Sequence, residues 1–267
     1  MFIKTIRNGK ILALGMVSLL LILAMPVIGQ AQQPQSTIFQ VSTLSALMSG
    51  VYDGGIDCKE LKKNGNFGIG TFNDLDGEMV VLDGNIFQIK GDGRVLPVYD
   101  GSKTPFAAVT FFEAKQKMEV VNITNMDELS KALESNLSSS NLFYAIRIDG
   151  DFAYVKTRSV PKQAKPYPPL TEVTKNQPTF EFHNVKGTLV GFWCPNYVGG
   201  LNVSGFHLHF ISADRQMGGH LLDCRIQQGK TQIDTINRFT MVLPESDAFN
   251  KSNLGKDWAE DIKKAEK

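Results

Sequence analysis

The chain has 267 residues, 42% of them apolar and 21% charged, with a formal net charge of +1. That length and composition fit a folded chain with a sizeable core and exclude disordered or fibrous classes. Near-balanced charge, 28 basic against 27 acidic residues, excludes the basic footprint of a nucleic-acid binder.

At the amino end, Lys4, Arg7 and Lys10 precede an uncharged apolar run over 11–28, and Gly29-Gln30-Ala31 follows with small residues. This pattern predicts a signal peptide over residues 1–31 and a secreted or extracytoplasmic protein. The alternative is an uncleaved amino-terminal segment that anchors the chain in a membrane. Cleavage would leave 25 basic against 27 acidic residues and no remaining membrane association. Cys58, Cys194 and Cys224 are odd in number and form no disulfide framework. They are expected to be buried thiols that pack as small hydrophobes.

Past a polar linker at 32–36, short helices are predicted over 43–48 and 57–63. Strands follow at 67–72, 78–82 and 86–90, the last two joined by an Asp83-Gly84 turn. Two more strands cover 107–113 and 118–123. Thr124-Asn125 caps a helix over 126–135, with Leu129, Ala132 and Leu133 on one face. Asp149-Gly150 predicts a hairpin between 142–148 and 152–160, and Lys186-Gly187 predicts a turn between 180–185 and 188–193. Between them, residues 161–169 hold four prolines and read as an extended connector. A strand over 231–243 and a charged helix over 258–266 end the chain. Turn signals about every ten residues predict antiparallel hairpins rather than a βαβ series. The expected fold is β-rich, built of antiparallel hairpins with a few short helices. The expected division is an N-terminal α+β lobe over 32–160, a proline-rich connector over 161–179 and a C-terminal β lobe over 180–267. That second lobe carries the metal-binding hairpin and a closing tail. Gly68-Ile-Gly70 alone is too little to predict a nucleotide site.

Three of the four histidines fall within fourteen residues: His207, His209 and His220. His207 and His209 alternate with Phe206, Leu208 and Phe210, the period of a half-buried strand. Residues i and i+2 of a strand point the same way, roughly 6.6 Å apart. A polar loop over 212–219 then turns the chain, and His220 begins the return strand within reach of the first two. Three imidazoles suit zinc, and three protein ligands leave a position open, as catalytic zinc sites do. His183 stands apart in "FEFHNV" and reads as an ordinary turn residue. Thr71 and the hydroxyls near Tyr197 are candidates to line a pocket.

Together, long strings of the sequence resemble the bacterial α-acetolactate decarboxylase family. They are "FGIGTFNDLDGEMV" at 67–80, "KTPFA" at 103–107, "VKTRSVPKQAKPYPPLTEVTK" at 155–175, "VKGTLVGFWCPNY" at 185–197 and "LNVSGFHLHFISADRQMGGH" at 201–220. The resemblance covers the chain from Ile38 onward. It implies zinc-dependent decarboxylation of (S)-2-acetolactate to (R)-acetoin, with zinc on His207, His209 and His220. It also implies polar partners at Glu78, Arg158 and Glu266, a homodimer, and an α+β, β-rich fold of two lobes built on a large mixed or antiparallel β-sheet with a few short helices. The expected partner is a small 2-hydroxy-3-keto acid.

The chemistry explains why such groups are needed. Loss of CO2 leaves an electron pair that spreads into an enediolate, and zinc chelated by the ketone and hydroxyl oxygens would hold that charge. Arg158 is expected to grip a substrate oxygen pair, and Glu78 to act as general acid and base with Glu266 assisting. Two other readings share the ligand set. One is a different three-histidine zinc enzyme, a hydrolase or hydratase; the other is a non-catalytic exported zinc-binding domain.

Overall fold

The structure, a computed structural model, describes residues 36–266. The signal-peptide expectation therefore falls outside the described residues. Caps set the ends of the early helices. Strand β1 (Thr37–Val41) leads into helix α1 (Leu44–Met48), whose N-cap Thr43 hydroxyl accepts from the Ala46 N–H at 3.1 Å. After β2 (Ile56–Asp57), Asp57 caps α2 (Cys58–Asn64) by accepting from the Glu60 N–H at 2.9 Å. Such a cap is worth about 1 kcal/mol.

Next come β3 (Phe67–Thr71), β4 (Glu78–Leu82), β5 (Asn85–Ile89), β6 (Val95–Pro97), β7 (Lys103–Thr104) and β8 (Ala107–Thr110). Asp83 and Gly84 both have positive φ, 53° and 77°, which is the backbone of the two-residue hairpin predicted there. Strand β9 (Gln116–Ile123) precedes α3 (Met126–Glu134), capped by Asn125. The rest is β10 (Phe143–Arg158), α4 (Leu170–Val173), β11 (Thr179–Cys194), β12 (Gly205–Ser212), β13 (Gly218–Ile236), β14 (Arg238–Val242), α5 (Asp247–Lys251) and α6 (Ala259–Ala265).

Two predicted turns are not turns. Residues 142–160 do not fold back at Asp149-Gly150, and 180–193 do not turn at Lys186-Gly187; β10 and β11 each run unbroken for 16 residues. The glycines lie side by side instead: Gly150 is paired with Gly187 on one neighbour and with Gly229 on the other. The row makes room where long strands are crowded. A Cβ on Gly187 would run into the Phe210 ring, and one on Gly150 would lie 2.5 Å from the Gln228 carbonyl oxygen.

Strands β14-β1-β8-β3-β4-β5-β6 form a seven-stranded sheet, mixed because β1 and β14 run parallel. Strands β10-β11-β12-β13-β9 form an antiparallel sheet in which β13 also pairs with β10, so the ladder closes on itself. A small β2–β7 pair stands apart. One apolar cluster joins the two sheets through Ile69, Val80 and Ile89 on one and Ala145, Phe192 and Ile211 on the other. A second lies within the five-stranded sheet and under Leu129 and Leu133 of α3. A third covers the outer face of the seven-stranded sheet with Cys58 and Leu61 of α2. A fourth gathers α1, α4 and α6 through Leu44, Leu47, Leu170, Trp258 and Ile262. The fold is thus the expected β-rich α+β architecture on a large mixed sheet. Its two sheets, however, do not part at residues 161–179. The C-terminal β14 completes the seven-stranded sheet, and β9 and β10 belong with β11–β13. Strand pairing joins segments from either side of the connector, which a linear reading of proline content does not register. All three cysteines are free and buried.

Candidate metal and catalytic site

The site forms where the two sheets and the tail meet. On β12, His207 lies opposite Phe192 of β11 and His209 opposite Val190. Two residues apart, the two histidines share one face of the strand. The return strand places His220 directly across from His209. The adjoining ladder then sets Arg158, the last residue of β10, opposite His220. Gly219 makes this register possible. Its φ is +137°, and an added Cβ would lie 2.5 Å from the Arg158 carbonyl oxygen.

Ring centroids of the three histidines are 5.0, 5.2 and 5.4 Å apart. One nitrogen from each can be chosen so that all lie within 4.8 Å of one another. The tautomer of His209 follows from its surroundings: Nδ1 is 2.9 Å from the Met79 carbonyl oxygen on β4. It therefore donates there and leaves Nε2 as the free lone pair. That Nε2 and the Nδ1 of His207 are buried without a hydrogen-bond partner. A buried ring nitrogen left without a partner, as His209 Nε2 is, leaves a lone pair available to a ligand.

Burial also sets their protonation. Desolvation, reinforced by the Arg158 charge, pushes His207 down to about 3. His209 and His220 are held well below the ordinary histidine range, again chiefly by burial. Three neutral imidazoles converging on one point are a donor set suited to a divalent ion such as zinc.

Carboxylates and one guanidinium complete the ring. Glu78, at the start of β4, is 6% exposed and places Oε2 3.7 Å from His209 Nε2. Arg158 Nη1 approaches Glu78 Oε1 at 3.3 Å. Burial raises the Glu78 carboxyl to about 7, with Arg158 pulling the other way and Glu266 adding to the rise. Glu266, just past α6, puts Oε2 3.6 Å from His220 Nε2 and 3.7 Å from His207 Nε2. Its carboxyl is also pushed up by burial. Arg158 Nη2 donates to the Ala265 carbonyl at 2.8 Å, which ties the tail to the site, while its Nε is buried without a partner.

The six residues singled out in the sequence thus line one cavity of about 40 Å³. Thr71 lines it too, with its hydroxyl donating to the Gly77 carbonyl at 2.6 Å. Tyr197 does not; it is 64% exposed and donates to the Asn141 carbonyl. His183 is also apart, its ring against Tyr154. The sequence reading missed the apolar walls, Leu44, Leu47, Leu75, Phe106, Val160 and Leu170. Nothing distinguishes them from other core residues in the sequence. It also missed the main-chain carbonyls of Met79 and Ala265, which no side-chain pattern records.

A β-rich scaffold holding a buried histidine triplet, two carboxylates with raised affinity for protons and an arginine is the arrangement of a candidate catalytic site. Residues 38–256 match the family model described as alpha-acetolactate decarboxylase. An alpha-acetolactate decarboxylase of Methanosarcina mazei is 50% identical over 86% of this chain and 80% of its own length. One from Bacillus subtilis is 44% identical over 89% of this chain and 94% of its own length. The crystal structure of the Bacillus subtilis strain 168 enzyme superposes with a TM-score of 0.84, covering 86% of this chain and 99% of that one. A Staphylococcus aureus structure described as similar to the family, at 31% identity, gives 0.83. The chain belongs to the alpha-acetolactate decarboxylase family, a family of carboxy-lyases.

Proposed function

We propose that this chain converts (S)-2-acetolactate to (R)-acetoin and CO2, with His207, His209 and His220 holding a zinc ion. The observation that carries the reading is the convergence of three neutral, buried imidazoles with Glu78, Arg158 and Glu266 on one cavity. When bound, zinc supplies Lewis-acid stabilisation of the negative charge that develops on the substrate oxygens.

The chain's own groups do the rest. The bond to the carboxylate breaks, CO2 leaves, and the electron pair passes into an enediolate that must be reprotonated at carbon. Glu78 is the proton carrier: it is the buried carboxyl beside His209, and in the metal-free chain burial raises its affinity for a proton. Arg158 keeps that carboxyl from rising further and orients it through Nη1. Its unpartnered Nε is the donor left for a substrate oxygen. Glu266 closes the site beside His207 and His220. The apolar walls exclude water, which strengthens each of these interactions.

The test is acetoin release from racemic acetolactate, with and without dipicolinate as chelator. Acetoin should form from one enantiomer, stop on chelation and return with added zinc. No acetoin from zinc-loaded protein would overturn the reading. We further propose that residues 1–31 direct export and that the chain works as a homodimer. No helix among the described residues is long and apolar enough to cross a membrane. N-terminal sequencing of protein recovered from cells, and light scattering of the purified chain, test these two statements.

A further inference from the structure

We infer that substrate reaches the buried histidine cavity through the cleft beside α6, and that Glu266 is the gate between them. The inference rests on the decarboxylase reading above. A cavity of about 40 Å³ has room for about three waters, less than a five-carbon keto acid needs. Every residue lining it is buried except Glu266, whose side chain is 15% exposed. Glu266 is the most exposed part of the wall, and the next most exposed side chain, His207 at 10%, is its neighbour.

What lies on the other side is a cleft of about 760 Å³. Glu266 is the one residue common to both linings. The cleft runs between the stretch 199–206, including Val203, Ser204 and Phe206, and the tail, including Trp258, Ile262 and Lys263. Its volume exceeds that of the whole substrate, and the Glu266 it shares with the cavity stands against His207 and His220. The Glu266 side chain needs only to swing aside from its contacts of 3.6–3.7 Å for the two spaces to join.

Two positions allow the route to be blocked without touching the site. Gly199 is exposed, and an added Cβ there would meet nothing within 4 Å. Ser204 is exposed as well. Both line the cleft and neither lines the cavity. Gly199→Trp and Ser204→Trp would fill the cleft, with Tyr99→Trp, at an 86% exposed residue outside it, as control.

Two rates are read on zinc-loaded protein: acetoin release, as kcat/KM, and zinc extraction by excess dipicolinate. The cleft variants should lose roughly tenfold in kcat/KM, since access rates among variants of one site span one to three decades. They should also release zinc more slowly, with zinc content and Tm like those of the wild type. The control should match the wild type. Wild-type rates of turnover and extraction in both cleft variants would overturn the inference. Slowed extraction together with no acetoin from the wild type would leave the route standing and reject the decarboxylase reading.

Discussion

His209 shows how much one side chain can organise. Its Nδ1 donates to Met79 of the seven-stranded sheet, its Nε2 faces the site, and its strand belongs to the other sheet. The pair Glu78–Arg158 is equally specific, because the guanidinium acts on the carboxyl it touches. Arg158 is the group that lowers the Glu78 carboxyl against its burial. In Arg158→Met that counterweight is gone, so the Glu78 pKa rises. If Glu78 must be ionised to take up a proton, the acid limb of kcat/KM then moves to higher pH, and activity falls more at pH 6 than at pH 8. A pH–rate profile checks this; a limb that stays in place would remove Arg158 as the tuning group. At this scale the sequence was most legible. Three histidines at strand spacing mark a candidate ligand set on their own, and the structure brings them together. Glu78, Arg158 and Glu266 do not, since each stands alone in the chain and only the family's strings pick them out.

At the scale of elements, the glycine row and the tail decide whether the site holds its shape. Gly187 admits the Phe210 ring, and Phe210 follows His209 on β12. Gly187→Ala should therefore overpack the core, destabilising the protein by about 1–3 kcal/mol and loosening zinc. Denaturant unfolding together with zinc content of the purified variant measures both; full zinc at unchanged stability would argue against the packing role. The tail makes a separate prediction. Ala265 accepts from Arg158, and Glu266 follows it. Deleting residues 265–267 should cut turnover strongly while leaving the three histidines and their zinc in place. Unchanged turnover would remove Glu266 from the mechanism. The same elements explain what the sequence concealed. Asp149-Gly150 and Lys186-Gly187 carry sound local turn signals, yet each glycine is paired on a neighbouring strand with another glycine. Pairing between segments more than thirty residues apart in sequence outweighs the local preference, and only the partner's position reveals it.

For the whole molecule, the histidine site is a junction, so its ligand should stabilise more than itself. The strands carrying the histidines belong to one sheet, Met79 and Glu78 to the other, and Glu266 to the tail. An ion that binds the folded chain and not the unfolded one stabilises by mass action, about 2.7 kcal/mol at one hundred times Kd. For a chain of this size that corresponds to a rise of roughly 5–10 °C in Tm. Chelated protein should melt lower by that amount and recover on adding zinc, whereas His209→Ala should show no zinc dependence. The metal-free protein should also lose stability in acid. Its histidines are held below their unfolded pKa by burial, so below about pH 6.5 the unfolded chain binds protons that the folded chain does not. The loss therefore begins as pH falls through the unfolded value and continues towards the folded ones. Melting curves of chelated protein between pH 7 and pH 5 decide the sign: a Tm that rises on acidification would mean that the buried carboxyls, whose raised pKa acts in the opposite direction, outweigh the three imidazoles.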